Sequence, residues 1–309
     1  MSFIHKPVLL EEAIAALAIQ PKGKYVDGTF GRGGHSERIL KALGSEGHVL
    51  AIDQDPEAIA AGQAKFANEP RLTLWHGSFA NLEKCIAEQG WDGQVDGILL
   101  DIGVSSPQLD DSERGFSFLQ DGPLDMRMNP AQGMDATTWL AQAKQEEIAT
   151  VLHEFGEERF ARRIAGAIVK ARVQTPITRT RQLAEIVAAA HPKWERHKHP
   201  ATRSFQGIRI YINQELAALD AVLPQALAAL KPGGRLAVIS FHSLEDRCVK
   251  RFMRAEARGD DLPMELPVTA NELHPTLRLV GKPIRASEAE IDANPRARSA
   301  VLRIAEKLI

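Results

Sequence analysis

The chain has 309 residues, 44% hydrophobic and 25% charged, ordinary globular composition that argues against disorder over most of its length. Lys plus Arg number 38 against 40 Asp plus Glu, a formal net charge of −2, so a nucleic-acid partner must be met by a local basic face. Cys85 and Cys248 form neither a CxxC pair nor a cluster with histidine, which excludes a disulfide framework and fits a reducing, cytoplasmic setting. The opening MSFIHKPVLLEEAI meets acidic residues too soon for a signal peptide. No apolar run approaches the roughly 18–20 residues of a membrane span.

Residues 7–17 read as a short amphipathic helix with Pro7 at its start. Strands and helices then alternate: strand into turn at 24–30 (KYVDGTF), helix at 36–43, strand at 48–53 (HVLAID), helix at 56–66, strand at 72–77 (LTLWHG), helix at 79–89 and a buried strand at 95–103 (VDGILLDIG). Strands separated by helices of about ten residues predict an α/β fold with a doubly wound parallel sheet. From 104 to 130 the chain turns irregular and rich in Ser, Pro, Gly, Asp and Met, a length that is uncommon unless the segment is functional. Helical patterns follow at 137–152, at 157–172 with Phe160, Ile164 and Ile168 on one face, and at 179–190. A long helix at 214–230 ends at Lys231-Pro232-Gly233-Gly234. A strand at 235–241 (RLAVISF), a helix at 244–257 and a last strand at 299–306 (SAVLRIAE) complete the chain. One sheet domain, residues 1–130 and 212–309, is thus expected to be interrupted between its fourth and fifth strands by an all-helical insertion, residues 131–211.

Asp27-Gly28-Thr29-Phe30-Gly31-Arg32-Gly33-Gly34-His35 joins the first strand to a helix. Its glycines allow positive φ and close backbone approach, and the helix start offers N–H groups to an anionic ligand group. Asp53 ends the second strand 22 residues after Gly31, the distance at which an acid accepts hydrogen bonds from a ribose. This fits a nucleotide-containing cofactor without choosing between NAD and S-adenosylmethionine. The glycines do not spell G-x-G-x-x-G, because Ser36 stands where the third would fall. Asp27 is expected at the mouth of the turn, repelling a pyrophosphate but attracting the amino group and sulfonium of S-adenosylmethionine. Phe79 is placed to stack on adenine or, alternatively, to start a helix from the core. Asp101 ends the fourth strand, where open α/β sheets bind ligands, or it caps a turn.

Residues 153–211 hold 12 Lys or Arg against 5 Asp or Glu, an excess of +7. Lys193, Arg196, Lys198, His199, Arg203 and Arg209 cluster there with Trp194 and Phe205 interleaved, alongside His191 and His197. That pattern reads as a phosphate-binding and stacking surface for RNA, the alternative being a solvated helical face. Arg296 and Arg298 are expected to extend it. His242 and Asp246 follow the fifth strand, where a flipped base would be read, though His242 alone reads equally as a structural histidine.

Read together, HKPVLLEEA (5–13), DGTFGRGGHS (27–36), LLDIGVSSPQLDDSERGFSF (99–118), GPLDMRM (122–128), GEERFARRIA (156–165), HPATRSFQGIRIYIN (199–213), ISFHSLEDR (239–247) and NPRARSAVLRIAE (294–306) resemble the bacterial 16S rRNA (cytosine-N4)-methyltransferases, the ribosomal small subunit methyltransferase H family. The resemblance runs nearly end to end and is least distinctive over 258–293. It implies a Rossmann-like methyltransferase domain with an inserted helical substrate-recognition domain, S-adenosylmethionine as donor, and a decoding-centre cytidine, cytidine 1402, of 16S rRNA in the 30S subunit as acceptor. Carried over by motif, the cofactor contacts are Gly33, Gly34, His35, Asp53, Phe79, Asp101 and Gln108.

The cytosine N4 lone pair is conjugated with the ring, so methylation needs hydrogen-bond acceptors for the amine and in-line placement against the methyl group. Ser105-Ser106-Pro107-Gln108 looks like a diverged version of the acid/polar-Pro-Pro-aromatic loop of DNA amino methyltransferases. A backbone carbonyl or hydroxyl within 104–107 (Ser105, Ser106 or Pro107) is therefore the expected acceptor, with Asp101 as the alternative; otherwise the loop only closes over the cofactor. No metal and no membrane partner are expected, and a homodimer stays open. Competing readings are a DNA or tRNA amino methyltransferase, an NAD-dependent oxidoreductase and a non-catalytic RNA-binding assembly factor.

Overall fold

The apolar runs become the strands of one sheet in a computed structural model that describes residues 7–193, 199–259 and 273–309. The elements of the sheet unit are α1 (Leu10–Leu17), β1 (Lys24–Asp27), α2 (Gly34–Ala42), β2 (His48–Asp53), α3 (Pro56–Lys65), β3 (Leu72–His76), α4 (Leu82–Gln89) and β4 (Val95–Asp101). The helical elements are α5 (Ser106–Asp110), α6 (Ala136–Gln142), α7 (Gln145–Glu154), α8 (Ala161–Gln174), α9 (Thr180–Ala190) and α10 (Ala201–Ile212). The sheet unit resumes with α11 (Glu215–Ala229), β5 (Leu230–Ser240), α12 (Ser243–Arg258), β6 (Leu277–Leu279), β7 (Ile284–Arg285), α13 (Glu288–Ala293) and β8 (Val301–Lys307). Strand order is β3-β2-β1-β4-β5-β8-β6, with β7 also paired to β8. β1 to β5 pair in parallel, and β8 runs antiparallel to β5, β6 and β7.

Both faces of the central strands are covered, so they read as unbroken apolar runs and not as alternating ones. Successive residues still point to opposite faces. Val26, Leu50, Ile98, Leu100 and Val238 pack with Cys85 of α4, Val222 of α11 and Val249 of α12. Tyr25, Val49, Leu99, Ala237 and Leu302 pack on the other side with Leu17 of α1 and Ile39 of α2. The strand order reverses between β1 and its neighbours β2 and β4, which opens a crevice at the carboxyl ends of these strands. Asp27, Asp53 and Asp101 are the last residues of β1, β2 and β4.

The expected fold is present, with local differences. The strand expected from Arg235 starts earlier: α11 ends at Ala229, Leu230 already pairs with Val95, and the register shifts before Arg235 meets Gly97, so Lys231–Gly234 lies inside β5 as an irregularity. β6, β7 and α13 fill a region that showed no distinctive pattern. The compact units are Met1–Gly103 with Leu216–Ile309, and Val104–Glu215. The segment 104–130 thus groups with the helices and not with the sheet, as the 130/131 boundary had it. The reason is packing: Phe116, Leu124, Met126 and Met128 are buried with Trp139, Ile148, Ile164, Leu183 and Ile208. Leu124 N donates to Thr178 O, and Met128 N donates to the Asn213 side chain at the end of α10.

The single helix expected over 137–152 is two, α6 and α7, broken at Ala143 and Lys144, which are extended. The Arg172 guanidinium donates to the carbonyls of Leu140 and Ala143 and satisfies groups that the break leaves without helical partners. α10 was not expected as an element. Its Gly207 allows close packing, since a Cβ there would lie 2.8 Å from Gly156 N. No helix among the described residues is long and apolar enough to cross a membrane.

Candidate active site at the carboxyl ends of the strands

The turn after β1 is shaped by its glycines. Gly31 and Gly33 have φ of 55° and 71°, and a Cβ on Gly33 would lie 2.7 Å from the rings of Phe30 and Phe66, so glycine is required there. Gly33 precedes α2, and Gly34 and His35 form its first turn, where N–H groups lack helical partners. Asp53 holds the other side of the turn: Oδ2 accepts from Gly31 N at 2.7 Å and Oδ1 from Asp55 N at 2.8 Å. Burial pushes the Asp53 carboxyl up to about 6, against the lowering effect of those two N–H donors and with help from the charges of Asp55 and Asp27.

Asp27 is not at the mouth of the turn, contrary to expectation. It is fully buried. Its Oδ1 accepts from Thr29 N at 3.2 Å and its Oδ2 from Ser36 Oγ at 2.6 Å. Ser36, which breaks the G-x-G-x-x-G pattern, is therefore the hydroxyl that anchors this acid. Burial raises the Asp27 carboxyl, and His35, Ser36 and Thr29 partly offset that rise.

Asp101, the strand-end acid of β4, is more open than Asp27. Its backbone N donates to Thr29 Oγ1 at 2.7 Å, which ties β4 to the glycine turn. Its side chain is 23% exposed, with Oδ2 3.7 Å from His35 Nδ1. Oδ1 is buried and has no hydrogen-bond partner among the described residues. Burial first, then the charges of Asp27 and Glu245, hold this carboxyl well above the usual carboxylate range. Phe79 is half-buried in a short 3₁₀ turn capped by Ser78, and it flanks the glycine turn: a Cβ on Gly28 would sit 3.7 Å from Phe79 Cβ.

His242 serves α12. Its Nδ1 accepts from Glu245 N, while Glu245 Oε2 accepts from the N–H groups of Phe241 and His242, a capping box. Asp246 takes both ends of the Arg303 guanidinium and joins α12 to β8. Sequence reasoning missed Thr29, Ser36 and Glu245. The spacing His242-x-x-Glu245, an N-cap followed by an acid three residues on, was the available signal for the last.

The remaining expected residues lie in the helical unit or on the surface. Ser105 caps α5 through a capping box with Gln108: Ser105 N donates to Gln108 Oε1 at 2.9 Å, and Gln108 N donates to Ser105 Oγ. Ser106 and Gln108 are buried, Pro107 half-buried. Lys198 falls outside the described residues, as do Trp194, Arg196 and His197. His199 is exposed, its ring centroid 4.7 Å from that of Phe118. Arg203 is half-buried, and Arg209 is doubly bonded to Glu215. Phe205, expected as a stacking residue, is instead core: it is buried and packs edge-on against Phe118. Arg296 and Arg298 are exposed on the turn before β8.

Like-charged, buried or half-buried carboxyls at adjacent strand ends are costly unless a cation shares the site. A doubly wound sheet with a glycine turn, acids at three strand ends and a carboxylate oxygen without a hydrogen-bond partner at its switch point has the layout of a Rossmann-like fold. Residues 2–308 match the MraW methylase family, and the chain belongs to it. It is 60% identical to the Ribosomal RNA small subunit methyltransferase H of Nitrosococcus oceani over 98% of this chain and 96% of that protein. It is likewise 60% identical to the same-named protein of Thioalkalivibrio sulfidiphilus over 98% and 97%, and 59% identical to that of Coxiella burnetii over 98% and 99%. A solved rRNA methylase from Streptococcus thermophilus aligns over the whole of both chains with TM-score 0.45 and 10% identity.

Proposed function

We propose that this methyltransferase transfers the methyl group of S-adenosylmethionine to N4 of a decoding-centre cytidine, cytidine 1402, of 16S rRNA in the small ribosomal subunit. The observation that carries the donor half is Asp101: a buried carboxylate oxygen without a partner, next to Asp27 and beside a glycine turn, suits a cationic donor far better than a pyrophosphate. S-adenosylmethionine supplies an electrophilic methyl on a positively charged sulfur. Asp53, which already grips the turn through Gly31 N, accepts from ribose hydroxyls with its remaining lone pairs. Phe79 stacks on the adenine, Gly33, Gly34 and His35 line the turn, and Gln108 completes the cofactor contacts.

The acceptor half rests on family membership and on the names of the relatives. A hydroxyl or carbonyl among Ser105, Ser106 and Pro107 accepts from the cytosine amine, which favours its pyramidal, nucleophilic form; Asp101 is the alternative acceptor. His199, Arg203, Arg296 and Arg298 meet the RNA. The decisive experiment is mass spectrometry of 16S rRNA from a strain lacking this protein. Loss of the N4 methyl group at that one cytidine is expected, and an unchanged spectrum rejects the assignment. Calorimetry with S-adenosylhomocysteine and NADH checks the donor half separately: binding of NADH alone rejects it.

A further inference from the structure

α12 carries a feature that neither its fold nor the proposed chemistry uses. Arg247, Arg251, Arg254 and Arg258 follow one another at steps of four, three and four residues. That spacing places all four on one face of a helix, and all four are exposed. At about 1.5 Å per residue the row extends over roughly 16 Å. The opposite face is apolar and seated on the sheet: Val249 and Met253 are buried, and Phe252 packs against the same core.

The acids of α12 do not neutralise the two central arginines, Arg251 and Arg254. Glu245 is buried in the capping box, Asp246 is held by Arg303, and Glu256 is bonded to Thr276. Among the described residues, neither Arg251 nor Arg254 makes an ion pair. Like charges three and four residues apart repel. The helix dipole favours cations only in the last turn, so it accounts for Arg258 but not for Arg247 near the start. Folding alone thus gives no reason for Arg251 and Arg254 in a chain of net charge −2. The position of the row does: Asp101 is in register with Ile239 near the end of β5, and α12 starts at Ser243 just beyond that end. The row begins one turn from the rim of the carboxylate site and runs away from it.

We propose that Arg247, Arg251, Arg254 and Arg258 form a rail for the phosphate backbone of the RNA substrate, guiding a strand to the carboxyl end of β5 beside Asp101. This deepens the proposed function and rests on it. Guanidinium groups at this spacing bind successive phosphates without reading sequence, and each contact releases counterions.

The test uses the full-length Arg251→Gln/Arg254→Gln variant, with Lys22→Gln/Lys84→Gln as a control for charge at two other exposed cations. Binding of a fluorescent single-stranded 16S rRNA fragment spanning the target cytidine is followed by anisotropy between about 50 and 200 mM salt, with KM for RNA and affinity for the donor measured in parallel. The rail predicts a salt slope shallower by about 1.4, an RNA KM raised roughly ten-fold, and unchanged donor affinity. The control should match the wild type. A wild-type slope and KM in the arginine variant overturn the rail. Loss of affinity for 30S particles but not for the RNA fragment overturns it too, in favour of an acidic ribosomal protein. Wild-type binding without methyl transfer rejects the proposed function while the slope still judges the rail; absence of wild-type RNA binding overturns both.

Discussion

At the carboxyl end of the sheet, Asp27, Asp53 and Asp101 are acids kept together, and burial raises all three carboxyls above their ordinary range. In the helical unit, buried Glu215 is bonded to the Arg209 guanidinium at 2.8 Å. There a buried acid is neutralised by a guanidinium of its own unit. At the strand ends like-charged acids sit side by side, a cost that protonation or a ligand of opposite sign removes.

Four measurements break or sharpen that comparison. The largest effect is expected for Asp101→Asn, which keeps the shape and removes the charge. Methyl transfer should fall about 1000-fold, near 4 kcal/mol of transition-state stabilisation, while RNA binding stays close to wild type. Single-turnover assays decide it, and a loss under about five-fold removes Asp101 from the chemistry. Next comes Arg209→Gln in the helical unit. It leaves Glu215 buried without its guanidinium, so stability should drop by about 2–3 kcal/mol in urea unfolding, with little effect on donor binding. Loss of RNA affinity without loss of stability would instead make Arg209 a direct RNA contact.

The third effect is about ten-fold. Asp53 is pushed up to about 6, and in the proposed site the ribose and the cationic donor both favour its deprotonated form. Donor affinity should therefore fall about ten-fold from pH 7 to about 5, read by calorimetry; a flat profile takes Asp53 out of the site. The smallest effect has the opposite sign to the first. An acid whose folded-state carboxyl is raised costs stability above the ordinary carboxylate range and nothing below it. Asp101→Asn should therefore raise Tm at neutral pH by a few degrees, about 1 kcal/mol, with the gain vanishing below about pH 4. Calorimetric scans at two pH values check it.

The sheet was legible because buried parallel strands such as Gly97–Leu100 and Val49–Ile52 leave short apolar runs between helices. The glycine turn and Asp53 were legible from spacing alone. Asp27 was misplaced because sequence order shows that an acid precedes a turn but not that Ser36 and Thr29 draw it underneath. α10 escaped because Gly207 and the β-branched Ile208, Ile210 and Ile212 weaken its helical pattern, whereas the structure needs that glycine for contact with Gly156. Phe205 looked like a stacking residue because arginines flank it, and only the fold shows it facing Phe118. The arginine row of α12 escaped for a similar reason: a count along the chain weighs Glu245 and Asp246 equally with the arginines, though one is buried and the other paired.

The pairing of β4 with β5 also has a consequence for how the molecule forms. β4 ends at Asp101 and β5 starts at Leu230, so these central neighbours are joined by more than a hundred residues that belong mostly to another compact unit. Joining strands across so long a stretch carries a loop-closure entropy that shorter crossovers avoid, and non-local pairings of this kind slow folding. β1 to β4 can assemble from local contacts, but the floor beneath Asp101 is complete only once β5 has found its place. The carboxyl end of the sheet is thus the part whose assembly waits on the most distant stretch of chain.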